Sequence, residues 1–60
     1  MDNKELGFRL LQVRQEFHWT EKDLAQILSL DEKTVLALEL GNGWTEEIKD
    51  RVLFFLDEKT

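Results

Sequence analysis

The chain contains no cysteine, no proline and no tyrosine, a single histidine, and three glycines in sixty residues. Each scarcity narrows the field. Without cysteine there is no disulfide, and one histidine with no thiol leaves no zinc framework. No apolar run approaches the roughly 18 residues of a membrane span, and the start shows no signal-peptide pattern. A soluble, cytoplasmic protein with neither cofactor nor metal is therefore expected. A domain this small buries only about 60% of its unfolded surface, so stability has to come from efficient helix packing or from self-association.

What is present is apolar and acidic: 42% hydrophobic residues, and 13 acidic against 8 basic side chains for a net charge of −5. That balance disfavours a generic binder of phosphate or membrane surface, both of which want a basic face. Enzyme chemistry lacks parts. The only histidine, His18, lies in a turn, and Gly41-Asn42-Gly43 has no Lys-Ser/Thr sequel to make a phosphate loop. The Glu46-Glu47 pair suits the positive end of the helix it begins. The chain is not expected to be an enzyme, and no small-molecule substrate is indicated.

No segment alternates apolar and polar residues long enough for a strand, whereas helical spacing recurs throughout. Leu6, Leu10, Val13 and Phe17 share one face of a helix over about Lys4–Phe17, with Asn3 as its expected N-cap. His18, a residue that tolerates left-handed backbone, reads as its terminator. Thr20 and Asp23 form a near capping box for a second helix, with Leu24, Ala25, Ile27 and Leu28 as its apolar stripe. After the Ser29-Leu30 turn, Asp31 caps a third helix carrying Val35, Leu36, Leu38 and Leu40. Gly41 ends that helix in the left-handed position. Thr45 caps a fourth, whose inner face is Ile48, Val52, Phe55 and Leu56. The expectation is one all-α domain over 1–60, four short helices with short connections.

The second and third helices, Thr20–Leu28 and Asp31–Leu40, have the dimensions of a helix-turn-helix unit at about 20–40. Glu5-Leu6-Gly7, Arg9-Leu10, Val13-Arg14, Trp19-Thr20, Leu24-Ala25, Leu28, Leu30, Thr34-Val35, Leu38-Glu39 and Gly41 follow one pattern in order and register. In these residues the chain resembles the Cro/C1-type helix-turn-helix family of phage repressors and bacterial XRE-type regulators, well over 5–41 and loosely over 42–56. The resemblance implies a lambda-repressor-like fold, double-stranded DNA as partner, and a third helix that enters the major groove. It assigns Glu32, Lys33, Thr34, Leu36 and Ala37 to bases, Glu21 and Lys22 to the DNA-facing start of the second helix, and Asn42 to phosphate. It also implies a structural brace between Arg14 and Glu39.

Residues 21–41 nevertheless hold five acids against two bases. A carboxylate about 6 Å from a phosphate costs roughly 0.7 kcal/mol in a water-like dielectric and near 3 at an effective value of 20. The alternative function on the same fold is an acidic protein-interaction module, an antirepressor or dimerisation domain. Phe8, Leu11 and Phe54 lie off the core-facing stripes, and Trp44 follows the Asn42-Gly43 turn. These four are candidates for contact with a second copy or another protein, Trp44 alternatively as a plug at the end of the core.

Overall fold

The computed structural model describes residues 2–59, which form four helices: α1 (Asn3–Glu16), α2 (Glu21–Leu28), α3 (Glu32–Glu39) and α4 (Glu46–Glu58). No described helix is long and apolar enough to cross a membrane. Each start has a local cause. Asp2 caps α1 by accepting from the Glu5 N–H at 2.8 Å. The expected cap, Asn3, is instead the first helical residue, because the aspartate one position earlier already has the extended backbone that a cap needs. Thr20 and Asp23 complete a reciprocal capping box at 3.1 and 3.0 Å. Thr45 accepts from the Ile48 N–H at 3.2 Å.

The first three helices end alike. His18, Ser29 and Gly41 take positive φ angles of 59°, 58° and 91°. In each case two backbone N–H groups close back onto the last turn: Trp19 to the Arg14 carbonyl, Leu30 to Ala25 and Asn42 to Ala37 are the longer closures. This is the Schellman geometry, which satisfies orphan carbonyls and reverses the chain within two residues. Three such reversals are what let four helices fit into sixty residues without proline.

The core is built from Leu6 and Leu10 of α1, Leu24, Ala25 and Leu28 of α2, Val35 and Leu38 of α3, and Val52, Phe55 and Leu56 of α4. Val13, Trp19, Leu30, Trp44 and Ile48 pack around it half-buried. α3 lies against α1 and α2, and α4 closes the other side against the same pair. Two expected core residues are displaced. Phe17 is exposed, because α1 ends at Glu16 and the reversal at His18 stacks its ring on Trp19 at 4.8 Å. Ile27 is exposed because Leu24, Ala25 and Leu28 fill the inward arc of α2, leaving it about 100° away. Leu36 and Leu40, on the outer side of α3, are also exposed.

Gly7 marks a close approach of α1 to the end of α3. It is buried in mid-helix, where glycine ordinarily costs about 0.5–1 kcal/mol relative to alanine. A Cβ there would press into the Leu38 carbonyl oxygen and lie 2.9 Å from that of Glu39. The missing side chain allows α1 to run directly against the last turn of α3.

Candidate nucleic-acid interface

The unit formed by α2, a three-residue turn and α3 packs on the core through Leu24, Ala25, Leu28, Val35 and Leu38, and several of its polar ties gather at the C-terminal turn of α3. Arg14, on α1, donates through Nε to Oε2 of Glu39 at 2.6 Å and through Nη2 to Oε1 at 3.3 Å. Its remaining nitrogen, Nη1, donates to the Trp19 carbonyl at 3.2 Å. The side chains of Arg14 and Glu39 are 16% and 5% exposed, so the fork is shielded from water and fully hydrogen-bonded. The hydrogen bond to Glu39 raises the Arg14 pKa above its ordinary value against the opposing effect of burial, and the charges of Glu39 and Glu21 add to the rise. Trp44 adds a second tie. It is half-buried against the core, and its indole N–H donates to the Leu38 carbonyl at 3.1 Å. With Gly7 and the reversal at Gly41, four devices converge on the C-terminal turn of α3.

The N-terminal turn of α3 is different. Asp31 has the extended backbone of a cap but its side chain makes no capping hydrogen bond. Glu32, Lys33 and Leu36 are exposed, while Thr34 and Ala37 are half-buried. Lys22 is exposed at the start of α2, and Asn42 is exposed beyond α3 with its backbone N–H committed to Ala37. Around α3, Lys33, Leu36 and Ala37 lie on the arc away from Val35 and Leu38, with Glu32 and Thr34 at its two flanks. Glu21 stands apart: its carboxylate lies 3.8 Å from Nη1 of Arg14, so part of its charge is already balanced. Among the described residues no group of acids and histidine is arranged to hold a metal ion.

Of the candidate contact residues outside this unit, Phe8 and Phe54 are exposed, Leu11 is half-buried and Trp44 has the core position just given. Several contacts link residues whose sequence spacing carries no signal. Arg51 reaches from α4 to the Leu28 carbonyl at 2.9 Å, capping the end of α2, and holds Glu47 at 3.3 Å. The Lys59 ammonium lies 5.5–5.8 Å from the ring centroids of Phe17, Trp19 and Phe55. Gly7 did carry a readable signal, since a glycine inside a helical pattern and away from any turn often marks close packing.

No protein-family model matches the chain, and neither a curated protein nor a solved structure matches it.

Proposed function

We propose that the chain is a DNA-binding transcriptional regulator, with α2 and α3 as a helix-turn-helix of the lambda-repressor-like type and α3 as the element that enters the major groove. The observation that carries this is the exposed outer face of the N-terminal half of α3. Val35 and Leu38 hold the helix on the core and Arg14, Trp44 and the contact at Gly7 hold its last turn, while Glu32, Lys33 and Leu36 project into solvent. A recognition helix uses its N-terminal residues on base edges in this way.

On this placement Lys33 addresses guanine O6 or N7, Glu32 accepts from cytosine N4, and Leu36 and Ala37 pack on thymine methyl groups, with Thr34 beside them. Lys22 and Asn42 meet phosphate. Lys22 is the one cation assigned to phosphate, so salt dependence is shallow, with a slope of about −1 per copy. Two copies would occupy half-sites one helical turn apart.

Selection from random duplex DNA at about 50 mM salt tests the proposal. A recovered consensus supports it. No consensus, with no retardation of any pool, overturns it.

One observation favours a second function. Leu36 of α3 and Leu40 at its C-cap are exposed four residues apart, in a segment with an excess of acids. An acidic protein-interaction module would use that same side for a basic partner, and failure of the DNA selection would favour it.

A further inference from the structure

The most exposed large hydrophobic residue among those described is Phe54, at 68%. It sits on the outer side of α4, opposite Val52, Phe55 and Leu56, which are buried in the core. At about 100° per residue, Glu47, Asp50, Asp57 and Glu58 all fall within about 60° of it. All four are exposed. The cations of α4 are placed elsewhere. Lys49 is half-buried, Arg51 lies to one flank donating to Leu28 and Glu47, and Lys59 lies over the rings of Phe17, Trp19 and Phe55. Phe54 is thus an aromatic ring presented to solvent inside a frame of carboxylates.

The sign of that frame selects the occupant. Two copies meeting through Phe54 would bring the Asp50 and Glu58 carboxylates of both together, with the Arg51–Glu47 pair at the margin of each. Like charges so placed disfavour the pairing. A surface with an apolar stripe between rows of lysine or arginine meets both features: the ring packs in the stripe and the carboxylates face cations. We propose that the outer side of α4 is a docking surface for a basic amphipathic helix of another protein, anchored by Phe54. This surface does not rest on the DNA-binding proposal, because it uses a different helix and none of the residues assigned to DNA.

The test titrates the ¹⁵N-labelled full chain with a synthetic 18-residue leucine–lysine amphipathic helix, and with its leucine–glutamate counterpart. Binding of the lysine peptide alone is expected, with amide shifts concentrated over Asp50–Glu58. Phe54→Ser should weaken it at least tenfold while the melting temperature stays unchanged, since the ring is outside the core. Asp50→Lys combined with Glu58→Lys should weaken it as much. Equal affinity for wild type and Phe54→Ser overturns the proposal. So does a footprint elsewhere, equal binding of the glutamate peptide, or a wild-type dimer that Phe54→Ser makes monomeric.

Discussion

The two ends of α3 are built on different terms. At its C-terminal end a part-buried ion pair, an indole hydrogen bond, a glycine-permitted helix contact and a left-handed reversal act on the same turn. At its N-terminal end Asp31 makes no side-chain cap, and the first two helical residues are exposed. A short helix cannot rely on its own propensity, because helices under about 12 residues are marginal in isolation. α3 has eight residues, so tertiary contacts must hold it. With the polar ties gathered at one end and Val35 holding the other to the core, Glu32, Lys33 and Leu36 are left facing solvent, which is what a surface that reads a partner requires.

The contrast is broken most directly at Arg14. Arg14→Met should lower stability by about 3–5 kcal/mol, because it strands the Glu39 carboxylate without its partner in a shielded site. Urea unfolding measures it, and a loss below about 1 kcal/mol would mean that the ion pair contributes little. Gly7→Ala comes next, at about 1–3 kcal/mol, since the added methyl forces α1 and α3 apart despite the better helix propensity of alanine. Thermal unfolding followed by circular dichroism checks this. Trp44→Phe removes one hydrogen bond to the Leu38 carbonyl while keeping the ring, for a loss of about 1 kcal/mol in the same assay.

At the other end of α3 the expected effects on stability are smaller. Asp31→Ala should cost under about 0.5 kcal/mol, less than the usual ~1 kcal/mol for a cap, because no side-chain hydrogen bond is lost. A measured cost equal to that of Thr20→Ala would remove the asymmetry. Two substitutions sharpen the contrast through DNA affinity. Glu32→Gln should change it more than Glu21→Gln. Among the described residues no cation pairs with Glu32, whereas Glu21 is already close to Arg14. The gain for Glu21→Gln should stay below about fivefold, the value for a fully unbalanced repulsion of roughly 1 kcal/mol. Fluorescence anisotropy with one duplex at several salt concentrations reads both.

Local chemistry was the legible part of this fold. The Thr20–Asp23 capping box, the Thr45 cap and the left-handed His18 and Gly41 are all determined by residues within a few positions, so sequence spacing is sufficient to find them. Ser29 signals only a turn, because serine does not mark a positive φ as glycine does. Phe17 and Ile27 show the limit of periodicity. Their spacing is helical, but whether an apolar residue is covered depends on where the helix stops and how many neighbours fill the inward arc. The approach of Arg14 to Glu39, 25 residues apart, has no periodic signature; resemblance to a family pattern suggested it, and packing of α1 on α3 produces it. The exposure of Phe54 could be placed by its angle around the helix, whereas the half-burial of Leu11 depends on what packs beside it.

The most direct measurement is a titration of the ¹⁵N-labelled chain with the duplex recovered by selection, or with the random pool if none is recovered, at about 50 mM salt. The amides of Lys22, Glu32, Lys33, Leu36 and Ala37 should shift together on binding, with Arg14, Glu39 and Leu38 still because their attachments are already complete. Shifts confined to other helices, or no shift at all, would contradict the assignment of the free end of α3 as the surface that meets DNA.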